Sequence, residues 1–363
     1  MGDPPLEGNA VRGLILLLVS TVGWAVPTNS TEGGHSMVGT AHPTSLDTPS
    51  SPRSAEAKQV VIVVVGAGGE SEYAPAFAGC ATLWEQACAK SDARFIAIGL
   101  DESGTSSDRA KVQQVLADQA GQTAAALWLV LIGHGTFDGR TAKFNLRGPD
   151  LSARDLAEWL QALQRPLVVI DAASASAPFL TELSSPGRII VTATKSGFEQ
   201  NYTRFGQYLA EAIIDPRADL DKDGQTSLLE AFLSASQAVE QFYTAAGRLA
   251  TEHALLDDNG DTLGTPANWF RGIRPVQRAR EDASLDGYRA HQLHLLSSPA
   301  ETTLPPDLRT KRDQLELQLV ELRDARAKYS EQEYFARLES LLREIAQIYQ
   351  QMDESGGTRG VSP

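Results

Sequence analysis

The six-residue run VVIVVV, Val60–Val65, constrains this chain more than any other feature. A strand with one wet face alternates apolar and polar side chains, so an unbroken apolar run predicts a strand covered on both faces. Four further runs repeat the signal, at Phe95–Leu100, Leu127–Ile132, Leu167–Ile170 and Ile189–Thr194. Helical periodicity falls near residues 75–90, 107–121, 152–163, 203–214 and 228–246. Strand–helix alternation of this kind predicts an α/β domain over 58–296, with a mostly parallel sheet and helices on both faces. In such sheets, sites form beyond the carboxyl ends of the strands. The residues that follow each strand therefore come first.

After the first strand, Gly66-Ala67-Gly68-Gly69 lacks the dinucleotide or Walker spacing and reads as a tight turn. After the third comes Gly133-His134-Gly135-Thr136. Flanking glycines leave the imidazole freely placed, and the Gly135 N–H is able to approach a developing oxyanion. After the fourth comes Asp171-Ala172-Ala173-Ser174-Ala175-Ser176.

These two loops carry a resemblance. LVLIGHG at 129–135, the helical stretch LSARDLAEWLQAL and then LVVIDAASASA at 167–177 are similar in layout to the caspase/legumain-like (clan CD) cysteine peptidases. In that family one apolar strand ends in His-Gly and the next in Asp-Ala-Cys-x-Ser-Gly or similar. The resemblance covers about residues 58–215. It implies a three-layer caspase-like fold, with His134 in the general-base position.

The family's nucleophile stands two residues after the Asp, where this chain has Ala173. Matching the Ser-Gly end of the pattern instead moves the slot to Ser174. A methyl group is inert, and a serine needs a strong base and an oxyanion hole. Cys80 and Cys88 do not replace the missing thiol. They lie on the helix after the first strand, separated by a rise of about 12 Å, too far to pair. Two functions stay open: an interaction protein without peptidase activity, or a hydrolase with His134 as base and Ser174 or another group as nucleophile.

The most specific motif is DLDKDGQTSLLE, residues 219–230. Against an EF-hand loop, Asp219, Asp221 and Asp223 take the first, third and fifth positions, and Gly224 the sharp turn. Gln225 offers its backbone carbonyl, Ser227 acts directly or through water, and Glu230 closes the shell as the twelfth residue. The expected cofactor is Ca²⁺, within an EF-hand-like helix–loop–helix over about 207–247. A second candidate site starts at Asp257, Asn259 and Asp261, but Thr262 replaces the glycine and Asn268 the final glutamate. His291 and His294 lack a nearby third ligand for zinc.

Charge agrees with a cation binder. The net charge is −14, and residues 219–230 and 257–261 each contribute −3 of it. Such a chain is a poor partner for nucleic acid or an anionic membrane. A protein or peptide partner is expected instead.

The ends read differently. Arg12 precedes the apolar run Leu14–Val26, which is shorter than the roughly 20 residues of a spanning helix. It reads as a secretory leader over 1–26 or, because Asp3 and Glu7 are unusual in one, as an N-terminal anchor. A secreted or periplasmic location follows, with no stable membrane span once the leader is cleaved. Residues 27–57 read as a Ser/Thr/Pro tether, 297–306 as a second linker and 353–363 as a tail. Between these, residues 307–352 have the apolar spacing of one long amphipathic helix or of a hairpin broken near Ser330. This segment either packs on the main domain or self-associates.

Overall fold

A computed structural model describes residues 58–357, apart from 102–105, 123–124 and 282. The expected leader or anchor and the tether fall outside these residues, as does the tail after 357.

The elements in chain order begin with β1 (Val60–Val65), α1 (Tyr73–Ser91), β2 (Arg94–Ile98), α2 (Asp108–Ala117) and β3 (Leu127–Ile132). A small antiparallel sheet follows, of β4 (Gly135–Phe137), β5 (Ala142–Phe144) and β6 (Leu151–Ser152). Next come α3 (Ala153–Leu160), β7 (Leu167–Asp171), α4 (Ala177–Leu183) and β8 (Arg188–Thr192). Then α5 (Phe205–Ile214), α6 (Leu228–Ala245), β9 (Leu255–Asp257) and β10 (Thr265–Pro266) complete the α/β body.

The main sheet has the order β10-β9-β8-β7-β3-β1-β2. The strands from β8 to β2 pair in parallel, whereas β9 and β10 add antiparallel at the β8 edge. Side-chain alternation splits the apolar runs between two cores. Val61, Val63 and Val65 face one core with α1, α5 and α6, while Val60, Ile62 and Val64 face the other with α2, α3 and α4. All six β1 residues are buried, which is why the run needs no polar member. This is the expected three-layer α/β architecture with helices on both faces.

Two strands stop short of their expected ends. Strand β8 ends at Thr192: the Ala193 N–H still donates to the Asp171 carbonyl at 2.9 Å, but the Thr194 N–H donates to Ser176 Oγ at 3.2 Å. Likewise β2 ends at Ile98, before Gly99 and Leu100.

A strap, residues 287–298, joins the body to a C-terminal arm. It contains α7 (Tyr288–Gln292) and leads to α8 (Pro299–Thr303), α9 (Pro306–Asp324) and α10 (Glu331–Gly357). The stretch read as a second linker thus holds a helix, capped by Ser298 Oγ on the Glu301 N–H, and Leu304 after it is 2% exposed. The arm is a hairpin. Helix α9 ends at Asp324, and Ser330 and Glu333 form a capping box that starts α10. Helix α10 runs to Gly357, past residue 352, where a tail was expected to begin. The hairpin's core is small: Leu304, Leu315 and Ile348, with Leu308, Leu341 and Ile345 packed against them. Among the described residues, no helix is long and apolar enough to cross a membrane.

Candidate functional site

The sheet's order reverses between β1 and β3, since β1 leads outward to β2 while β3 lies on its other side. The crevice beyond those carboxyl ends is where α/β sheets place ligands. His134 stands there, two residues after β3. Rings enclose its imidazole. Tyr73 meets it edge-on at 4.7 Å between centroids and Phe77 at 5.2 Å, and Tyr202 packs on both. Burial holds its pKa below the usual histidine value, against the opposing effect of a hydrogen bond to the Gly68 backbone. The ring is therefore neutral near pH 7, as a base must be.

Its expected partners are nearby in the fold but engaged elsewhere. Ser174 is 2% exposed, and its Oγ accepts from the Gly135 N–H at 3.0 Å and donates to the Gly135 carbonyl at 3.1 Å. The hydroxyl proton thus points at a carbonyl rather than at the imidazole, and the Gly135 N–H is spent on Ser174. Glycine is required at 135, because a Cβ there would meet the Ser174 carbonyl oxygen at 2.1 Å. Ala173 is 1% exposed and packs in the core that faces α2, α3 and α4. Tyr73, Phe77 and Tyr202, which surround His134, belong to the opposite core. The methyl group of Ala173 therefore faces one core, while the rings around His134 belong to the other.

Asp171, at the end of β7, is 1% exposed. Its Oδ1 accepts from the Ala173 N–H at 3.1 Å, while its Oδ2 is buried with no partner. Burial pushes its pKa up to about 7. Both cysteines are free and buried on α1, and burial pushes each thiol up to about 12. Neither supplies a thiolate near neutral pH.

The acidic loop lies between α5 and α6, after a turn of 3₁₀ helix at Pro216–Ala218. Its carboxylates fold inward by bonding successive backbone N–H groups. Asp219 accepts from Lys222 at 2.6 Å and Gly224 at 3.2 Å, Asp221 from Asp223 at 3.1 Å, and Asp223 from Gln225 at 3.0 Å. Lys222 and Gly224 take the left-handed conformation that lets the chain coil, with φ of 64° and 94°. Ser227 and Glu230 form a capping box at the start of α6. Glu230 is 1% exposed, and its Oε1 accepts from the Leu220 N–H at 2.7 Å and from the Asp221 N–H at 3.2 Å. Burial raises the Asp223 pKa, and the charge of Asp221 adds to it. Four carboxylates and a serine are a hard-oxygen donor set, which suits Ca²⁺.

Among the described residues, ligand atoms of three side chains converge within 4.8 Å in two groups: Asp219, Asp221 and Asp223, and Asp221, Glu230 and His291. Sequence reasoning missed the histidine. Helix α7 stops at Gln292, so His291 and His294 part company. The His291 Nε2 reaches Asp221 Oδ2 at 3.1 Å, and that hydrogen bond holds the Asp221 pKa down. His294 joins the loop through its main chain, in a bridge with Ser227, and burial lowers its pKa to about 4. No local signal announces His291, which lies 70 residues from Asp221.

Residues 257–263 repeat the turn geometry of 219–225. Asp257 accepts from Gly260 at 2.9 Å and Thr262 at 3.2 Å, Asn259 from Asp261 at 2.8 Å, and Asp261 from Leu263 at 2.8 Å. Asp257 also accepts from Ser184 Oγ at 2.5 Å. Glu252, unassigned from sequence, is a buried helix cap. It accepts from the N–H groups of Arg204 and Phe205, where α5 begins.

No protein-family model matches the chain, and no curated protein does. Solved structures do. Caspase-1 from Spodoptera frugiperda matches at 9% identity and a TM-score of 0.39, over 56% of this chain and 87% of that one. The Drosophila initiator caspase Dronc matches at 13% identity and a TM-score of 0.37, over 56% of this chain and 80% of that one. Raptor from Chaetomium thermophilum matches at 10% identity and a TM-score of 0.30, over 44% of this chain and 17% of that one.

Proposed function

We propose that this chain is an exported calcium-binding interaction protein on a caspase-like scaffold, without peptidase activity. The observation that carries the reading is the convergence of Asp219, Asp221 and Asp223 within 4.8 Å in a loop between two helices, with Glu230 in the first turn of the second. The ion assigned to this loop is Ca²⁺, held by Asp219, Asp221, Asp223, the Gln225 carbonyl, Ser227 and Glu230. We assign none to Asp257, Asn259 and Asp261, because the twelfth position there is Asn268 and Ser184 already takes Asp257. Isothermal titration is expected to give one calcium per chain. A stoichiometry of two would restore the second site, and no heat of binding would sink the assignment.

The alternative is a hydrolase in which His134 activates Ser174. Against it stands the pair of hydrogen bonds that ties the Ser174 hydroxyl to Gly135. A nucleophile must lie within about 3 Å of its base, or little more in an empty site. A fluorophosphonate probe and a peptide-substrate panel are expected to show no labelling and no turnover, with His134→Ala as control. Turnover abolished by that substitution would establish the hydrolase instead.

Export and self-association complete the proposal. The arm supports association, because Phe335, Leu342 and Tyr349 recur every seven residues and are 53%, 38% and 44% exposed. Native mass spectrometry of protein recovered from the periplasm or medium is expected to give a dimer of chains lacking residues 1–26. A full-length chain would favour the anchor, and a monomer at all concentrations would remove the dimer.

A further inference from the structure

We propose that the cation loop and the C-terminal hairpin are two ends of one linked equilibrium, joined by the strap 287–298, so that ion occupancy holds the hairpin docked. The inference rests on the calcium reading of residues 219–230.

Four contacts fasten the strap to the loop. The Leu228 N–H donates to the Leu293 carbonyl at 2.9 Å, and Ser227 and His294 form an antiparallel bridge. Gln225 Oε1 accepts from the Ser298 N–H at 3.0 Å, and His291 pairs with Asp221 at 3.1 Å. All four attach between Asp221 and the first residue of α6, the part of the loop that closes around an ion. His291 orients a ligand carboxylate from outside, as hydrogen-bonded neighbours of metal ligands commonly do. Gln225 would use its backbone carbonyl for the ion and its side chain for the strap.

The start of the strap is fastened elsewhere. Asp258, next to β9, accepts from the N–H groups of Gly287 at 3.0 Å and Ala290 at 2.8 Å. Asp286 Oδ2 accepts from Thr265 Oγ1 at 2.6 Å. The sheet edge thus holds one end of the strap and the loop holds the other.

The end that the loop holds is also fastened to the hairpin. Gln292 Nε2 donates to the Asp313 carbonyl at 2.9 Å and to Glu316 Oε2 at 3.1 Å. Beyond Ser298, Glu301 on α8 takes Arg312 of α9 in a bidentate pair at 2.6 and 2.8 Å. With so small a core of its own, the hairpin relies for its position on these attachments and on the pair between Arg278 and Asp324 at the end of α9.

A ligand shifts an equilibrium only by its differential affinity for the two states. Releasing the strap frees the loop's 225–228 edge and removes the hydrogen bond that orients Asp221. The ion therefore binds the docked state more tightly and opposes opening. If the undocked loop barely binds, free calcium at 100 times Kd suppresses opening by about a hundredfold.

Hydrogen exchange by mass spectrometry on the full chain, with and without calcium, tests this, alongside titration calorimetry in the same buffer. Amides of 287–303 and of α9 are expected to exchange about ten- to a hundredfold more slowly with calcium. Asp223→Asn, which removes a carboxylate ligand but keeps an oxygen for the Gln225 amide that holds Ser298, is expected to abolish that difference and keep the calcium-free pattern. Calcium binding with protection confined to 219–230 would overturn the coupling and leave the calcium site standing. No binding in the calorimeter would overturn both.

Discussion

Calcium is expected to raise the unfolding temperature of this protein, and chelation with EGTA to lower it again. The size of the shift follows from the state of Glu230. Its two oxygens already accept from Leu220, Asp221 and Ser227, so an incoming ion competes with four hydrogen bonds. On the proposed calcium reading, that competition would set the affinity at the weak end of the sensor range, roughly 10⁻⁵ M. At about 1 mM free calcium, the stabilisation is then about 2.7 kcal/mol. For a domain of this size, that is a shift of about 5 °C. Scanning calorimetry of Asp223→Asn is expected to show the calcium-free midpoint at every calcium concentration. An unmoved wild-type midpoint between EGTA and millimolar calcium would mean that the loop stays empty.

The second large effect belongs to Asp171. Its folded pKa of about 7 lies above the ordinary carboxyl value of 3.8, because the side chain is buried with Oδ2 unpartnered. A carboxyl group shifted upward favours folding while it is protonated. Its contribution is intact below the ordinary value and is lost as the pH rises through about 7. The loss amounts to about 4 kcal/mol, at 1.36 kcal/mol per pKa unit. Asp171→Asn keeps the shape and has no charge to bury. Chemical denaturation is expected to find the variant about 4 kcal/mol more stable at pH 8 than its pH 4 comparison with wild type would give. A difference between variant and wild type that does not change with pH would show that Asp171 titrates normally.

Much of the fold is legible because its signals are local. Val60–Val65 and Leu127–Ile132 form as expected, since a doubly covered strand must be apolar throughout. Less is visible where structure depends on distant partners. Strands β4–β6 and β9–β10 have two or three residues each, too short for periodicity to register. Helix α4 follows a loop pinned by Thr194 Oγ1, which accepts from the Ala177 N–H. The coil of the acidic loop is likewise legible, because its carboxylates and the N–H groups they bond come from one twelve-residue stretch. The hydroxyl of Ser174 was not. Its two partners belong to Gly135, 39 residues away, and sequence spacing does not say which way a side chain will turn.

The two buried thiols affect how reversibly this molecule melts. Folding keeps Cys80 and Cys88 at 5% and 2% exposure, so the native chain resists air oxidation without any reductant. An unfolded chain has no such shelter. Its thiols return toward their ordinary acidity, and mixed disulfides between chains can then trap it before it refolds. In an oxidising solvent the unfolding barrier, rather than the free-energy difference, would set the lifetime of the folded protein. With a reductant present, the same unfolding becomes an equilibrium.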